Sequence, residues 1–194
     1  MKFWKISYGV AVLFLLIGVV KFSIPTSYNC GKVDSYIYAD GAVSDDEIAL
    51  AESYVEALPS ELLSYFTDNN WKVVITSDID NKVIGRTIPS EKVVLIKEGY
   101  VFQALWHEFG HMYLMQHPYD SSFDNLYKEE GRTLITEFYG EADVSYWLED
   151  ETEYWCQAFQ TVRVANEQVS GVAPRTYAYF ADIFNQLYSE KSAN

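Results

Sequence analysis

Cysteine is almost missing from this 194-residue sequence: Cys30 and Cys156 are the only two, and no Cys-x-x-Cys pair occurs. That excludes a disulfide framework and gives no basis for a structural zinc site held by thiolates, since both need several cysteines at defined spacings. In an oxidising compartment the two could pair, although Cys156 also reads as a small buried apolar residue. Basic residues are scarce as well, with 14 Lys and Arg against 28 Asp and Glu and a formal net charge of −14. A surface that acidic repels a polyanion, so no nucleic-acid partner is expected. The acidic surplus is read as keeping an exported domain soluble. Neither an internal repeat nor a low-complexity tract is present.

What is there suffices for one core: 49% of the residues are apolar and 16% aromatic, enough for one domain at this length. The first residues set the compartment. Lys2 and Lys5 precede an uncharged run over 6–20, followed by Lys21 and Pro25, the pattern of an export signal or an anchor. With Phe3, Trp4, Phe22 and Ile24 the segment approaches the roughly 20 apolar residues a membrane span requires. A small-x-small cleavage site is missing, because Phe22-Ser23-Ile24-Pro25 is bulky, which favours an uncleaved anchor over a removed signal. The lysines favour the N-terminus inside and the bulk of the chain outside. The expected organisation is an N-terminal membrane anchor or signal segment at 1–24, a stalk at 25–34 and a globular domain at 35–194. The domain is then extracytoplasmic, anchored or secreted.

Local patterns predict an α+β domain with a small sheet and several helices. Ser44-Asp45-Asp46-Glu47 is a capping box, in which the serine oxygen takes an orphan backbone donor and Glu47 reaches back to the cap. It opens a helix running to about Phe66, with a break near Pro59. Trp71 to Thr76 and Lys92 to Ile96 read as strands from their β-branched residues, with a loop or a weaker strand between them. A helix runs from Tyr100 to about Gln116, apolar on most faces and therefore buried, and Pro118 ends it. Further helices are predicted near Arg132 to Asp143, from Thr152 to about Val169, and from Pro174 to about Ser189.

The buried helix carries His107-Glu108-Phe109-Gly110-His111. At 3.6 residues per turn its histidines project from one face about 6 Å apart, a separation that suits two imidazoles sharing one Zn²⁺ at roughly 2.1 Å each. Glu108 flanks the metal without being forced to ligate it, so it can take a proton from a water that zinc acidifies and pass it to a leaving amine. The residue types and their order are those of metal-assisted peptide hydrolysis. Two histidines satisfied within a core would be the plain alternative, but it leaves Glu108 as a costly buried carboxylate on an apolar helix.

A catalytic zinc needs a third protein ligand and one open position. His117 stands at the metzincin spacing, but Leu114 occupies the place of that pattern's turn glycine and no methionine follows Met115. Without the turn, His117 falls about 9 Å further along the helix axis. A later helical carboxylate is the other candidate. Glu153-Tyr-Trp-Cys-Gln157-Ala-Phe159 has the required form, and Glu137, Glu141, Glu149 and Glu151 are rivals.

Together, the His107 to His111 motif, Tyr146 and the Glu153 to Phe159 segment resemble gluzincin zinc metallopeptidases, specifically the catalytic domain of anthrax lethal factor and the related bacterial Pro-Pro endopeptidases. The resemblance covers roughly residues 70 to 165. It implies a zincin-like fold, Zn²⁺ held by His107, His111 and Glu153, Glu108 as base, and Tyr146 as the donor to the oxyanion. It also implies that Val93 to Ile96 is the edge strand on which an extended peptide lies. Two residues depart from the family pattern: Gln157 stands where a second glutamate is usual, and Cys156 replaces alanine. Tyr146 also has a plain packing alternative, because the chain has 16 tyrosines. The expected activity is that of an exported zinc-dependent endopeptidase acting on a peptide or protein. The alternative is a membrane-tethered zinc-binding or protein-binding module of the same fold without turnover.

Overall fold

The four strands take their places from how many of their faces are apolar. In the computed structural model, which describes residues 36–79 and 83–189, β1 is Ile37–Asp40, β2 is Lys72–Thr76, β3 is Gly85–Ile88 and β4 is Val93–Lys97. The predicted anchor, the stalk and Cys30 lie outside the described residues. The sheet order is β1-β2-β4-β3, with β1, β2 and β4 parallel and β3 antiparallel to β4. In β2, Val73 to Thr76 are buried in succession, as expected of a central strand covered on both faces. In β4, Val93, Val94 and Ile96 are buried and Leu95 is partly so, and the strand lies between β2 and β3. This corrects the expectation that Val93 to Ile96 forms the edge. Among the described residues the edge beside it is β3, whose Arg86 and Thr87 suit a strand with one unpaired side.

The helices follow the apolar spacing and caps closely. Ser44 accepts from the Glu47 N–H at 3.3 Å and opens α1, Asp45–Glu56. Glu47 does not complete the reciprocal half of the box. Its carboxylate accepts from the Gly99 N–H at 2.8 Å instead, which ties α1 to the turn before the buried helix. Gly99 has φ +83°, a conformation that glycine adopts at no steric cost. Pro59 separates α1 from α2, Ser60–Asp68, and α3 is Val101–Leu114 with nine buried residues.

The main difference from the sequence reading is α4, Ser121–Phe138, which begins well before the predicted Arg132. Asp120 caps it by accepting from the Ser122 N–H at 2.8 Å. Its buried stripe is Phe123, Leu126, Gly131, Leu134 and Ile135; a glycine within it and the charged Lys128, Glu129 and Glu130 before that glycine disguise the helical period. Beyond a short 3₁₀ turn at Glu141–Asp143 lie α5, Val144–Trp147, α6, Glu151–Val172, and α7, Pro174–Ser189.

In the layered arrangement α3 contacts both the sheet and α6, while α4 and α7 pack on α6. Tyr113, Trp155 and Phe159 form a stacked aromatic group across α3 and α6, with ring centroids 5.3 to 6.1 Å apart. Burial of rings of this size supplies much of the hydrophobic stabilisation and fixes how the two helices cross. No helix among the described residues is long and apolar enough to cross a membrane; the run over 6–20 lies outside them.

Candidate functional site

The site is built where α3 and α6 touch most closely. A Cβ placed on Gly110 would lie 3.2 Å from the Cα of Cys156 and 3.3 Å from its Sγ, so glycine here lets the two backbones meet. Gln160 strengthens the contact, since its Oε1 accepts from the His107 N–H at 2.9 Å and its Nε2 donates to the Gln103 carbonyl at 2.9 Å. Next to that contact on α3 stands His111, and about one turn before it stand His107 on α3 and Glu153 on α6. Asp150 begins α6 by accepting from the N–H groups of Thr152, at 2.7 Å, and Glu153, at 3.3 Å. Glu153 thus belongs to a capped, oriented first turn.

Three side chains converge. His107 Nε2 is 3.2 Å from His111 Nε2 and 3.2 Å from Glu153 Oε2, and His111 Nε2 is 3.5 Å from Glu153 Oε1. On its other side the His107 ring donates from Nδ1 to Gln157 Oε1 at 3.1 Å. That bond fixes the tautomer with an Nε2 lone pair facing the other two groups. Lone pairs on these atoms oppose one another unless a shared proton or a metal ion lies among them. Ligands about 2.1 Å from a tetrahedral zinc sit roughly 3.4 Å from each other, so the observed separations fit such an ion. The nitrogen, nitrogen, carboxylate set is also one that zinc accepts with a fourth position left open.

Electrostatics agree with a site prepared for positive charge. Burial opposes charging His107, but hydrogen bonding to Glu153 and the charge of Glu108 outweigh it and raise its pKa. His111 is pushed down to about 4 by burial and by the neighbouring His107. Burial works to raise Glu153, and the two histidines more than reverse it, leaving its carboxyl below the usual range. Cys156 has its Sγ within 4.8 Å of the histidine nitrogens, yet it is fully buried. Burial raises its thiol well above the ordinary range, with Glu153 and Glu108 adding to the effect, so it remains a neutral S–H and a poor ligand. The Glu153 carboxylate, closer and partly open to solvent, is the better third donor.

Glu108 is 5% exposed and lies against β3. The Thr87 hydroxyl stands 2.8 Å from Glu108 Oε2 and 3.2 Å from the Glu108 carbonyl. Burial raises the Glu108 pKa, with His107 and Thr87 working against the rise. A carboxylate shifted towards neutrality is better matched to accepting a proton near pH 7 than an ordinary one. Tyr146 sits on α5, half-buried. Burial, together with the charges of Glu153 and Glu108, pushes its phenol up to about 12, so it keeps its proton at neutral pH. Its neighbour Trp147 places its ring 5.6 Å from that of His107.

His117 lies elsewhere. Its Nε2 is 2.9 Å from Glu61 Oε1 and its ring stacks on Tyr113 at 4.7 Å. The metzincin-like alternative is thereby corrected, because α3 runs on to Leu114 without the turn that would bring this histidine back. Among the rival carboxylates Glu141 pairs with Arg132, and only Glu153 among the described residues pairs with His107 and His111. Sequence reasoning missed Thr87, Gln160 and Trp147. The weak strand between β2 and β4 was the only sign of Thr87, whereas Gln160 was within reach, one turn beyond Gln157 on the same helix.

No family model matches the sequence, and no curated protein matches it. Among solved structures, the fold is similar to that of a Pro-Pro endopeptidase from Paenibacillus alvei, with a TM-score of 0.56 and 17% identity. The match covers 77% of this chain and 97% of that one. The chain therefore shares with that protein an α+β fold in which a small sheet backs a buried helix and further helices follow.

Proposed function

We propose that this protein is a zinc-dependent endopeptidase. The observation that carries the reading is the convergence of His107 Nε2, His111 Nε2 and the two Glu153 carboxylate oxygens, with 3.2 to 3.5 Å between one side chain and the next and Glu108 next in sequence to His107. A zinc ion bound there supplies Lewis acidity, making water nucleophilic near neutral pH and polarising a carbonyl. His107, His111 and Glu153 hold the ion, and Gln157 and Gln160 orient His107. Glu108 accepts the proton of the attacking water and delivers it to the departing amine. Tyr146 donates a hydrogen bond where negative charge develops on the former carbonyl oxygen. The substrate is an extended peptide or protein segment, and the unpaired edge of β3 is the strand on which its backbone can add. The activity in the name of the Paenibacillus alvei protein makes Pro-Pro bonds the first to test.

Export and tethering through the segment at 1–24 remain part of the proposal, resting on its flanking lysines and uncharged run. The alternative is a zinc-binding or protein-binding module without turnover. It draws on Gln157, a neutral partner for His107 where a carboxylate would make the imidazole more electron-rich.

Zinc content and cleavage of a peptide library with and without Pro-Pro bonds distinguish the two. The expected result is one zinc per chain, new peptide termini, and loss of cleavage on chelation that added zinc restores. One zinc with no new termini would establish the binding module instead. Tyr146→Phe keeps the ring and removes the donor, so kcat is expected to fall about 10²-fold with KM little changed. An unchanged kcat would assign Tyr146 to packing.

A further inference from the structure

The edge strand β3 meets the base directly. Lys97 N–H donates to the Ile84 carbonyl at 2.9 Å, and Arg86 faces Leu95 while Gly85 and Thr87 face Ile96 and Val94. Hydrogen-bonded and non-hydrogen-bonded pairs alternate along an antiparallel ladder. The backbone N–H and C=O groups of Gly85 and Thr87 are therefore not paired with β4 and face the open edge, where the Thr87 backbone also interacts with the Glu108 carboxylate. The same two residues touch Glu108 on the α3 side. The Thr87 hydroxyl is 2.8 Å from Oε2, and a Cβ on Gly85 would fall 2.7 Å from Oε1 and 3.1 Å from Cγ. One carboxylate oxygen is thus held by a hydroxyl, and the other is confined by bare backbone.

We propose that Thr87 is a positioning residue for Glu108, its hydroxyl fixing the carboxylate in one rotamer beside His107, with Gly85 leaving the room that rotamer needs. The inference rests on the reading of Glu108 as the base. A glutamate has several rotamers of similar energy, and a base must stand within hydrogen-bond reach of the proton it takes. The hydroxyl selects one of those rotamers in advance of substrate. Because the outward backbone of Gly85 and Thr87 is also where a peptide would pair, one short strand sets both the peptide's register and the base's position. The chemical step then depends on Thr87 while ground-state affinity does not.

The test compares Thr87→Val, which keeps the shape and loses the hydroxyl, with Thr87→Ser, which keeps the hydroxyl. Crystal structures of both are solved, and kcat, KM, zinc content and Tm are measured on the folded full chain. In Thr87→Val the Glu108 carboxylate is expected to leave its position or split between rotamers. Its kcat should fall about tenfold, the size of one hydrogen bond to a charged group, with KM and zinc content unchanged, and Tm should fall modestly because a buried carboxylate loses a partner. Thr87→Ser should restore both carboxylate position and rate. If valine disturbs folding, Thr87→Ala is used in its place. A carboxylate that stays in place in the hydroxyl-free variant overturns the proposal, as does a loss of rate that Thr87→Ser fails to restore. If the wild-type chain cleaves nothing, the peptidase reading fails, while the carboxylate position still decides the role of Thr87.

Discussion

Glu108→Gln is expected to abolish peptide hydrolysis while leaving the metal bound and the fold intact. Glutamine has nearly the same shape and still accepts the Thr87 hydrogen bond through its amide oxygen, so the packing against Gly85 and Ala104 changes little. It cannot accept and release a proton. Loss of a positioned general base costs about 10² to 10⁴ in rate. The effect belongs in kcat and not in KM, because the proton moves in the transition state and not on binding. Removing a buried carboxylate whose pKa burial has raised also removes a desolvation cost, so Tm should hold or rise. Steady-state kinetics, zinc content by mass spectrometry of the native protein and a thermal melt check all three parts. Full activity in this variant would take Glu108 out of the mechanism.

How far the sequence discloses this site depends on the distance over which each part is specified. His107, Glu108 and His111 are legible because a helix translates spacing directly into direction. Glu153 is legible only as one of several carboxylates on geometry, and the family resemblance selects it. Its place beside the histidines depends on the Gly110 and Cys156 contact, a feature of tertiary packing. Thr87 is hidden, because β3 is four residues long and its hydroxyl acquires a partner only through strand register, which no local pattern encodes. The misplaced edge has the same cause: the run from Val93 to Ile96 signals burial, but whether a neighbour lies on one side or both is a property of the sheet. Helix α4 was obscured differently, since the charged Lys128, Glu129 and Glu130 and a buried glycine, Gly131, break the apolar period of a stripe that packs normally.

Glu153→Ala should have a signature opposite to that of Glu108→Gln, with metal and activity lost together. Removing the carboxylate leaves two imidazoles, and a tetrahedral site then has two open positions where one is wanted. Changing a mere supporting group beside a metal ligand costs 10- to 100-fold in affinity; removing a ligand itself is expected to exceed that. Thermal stability gives a readout independent of turnover. An ion that binds only the folded chain stabilises it by about 2.7 kcal/mol at a free concentration of 100 Kd, so added zinc should raise the wild-type Tm by several degrees. In Glu153→Ala at the same zinc concentration the rise should disappear, and in Glu108→Gln it should remain. Cys156→Ala separates the two candidate third donors. The thiol is buried and neutral, packed against Gly110, so its loss should leave the zinc-dependent rise in place. A rise that survives Glu153→Ala and vanishes in Cys156→Ala would move the metal into the helix contact, away from Glu108, and the hydrolytic geometry would be lost with it.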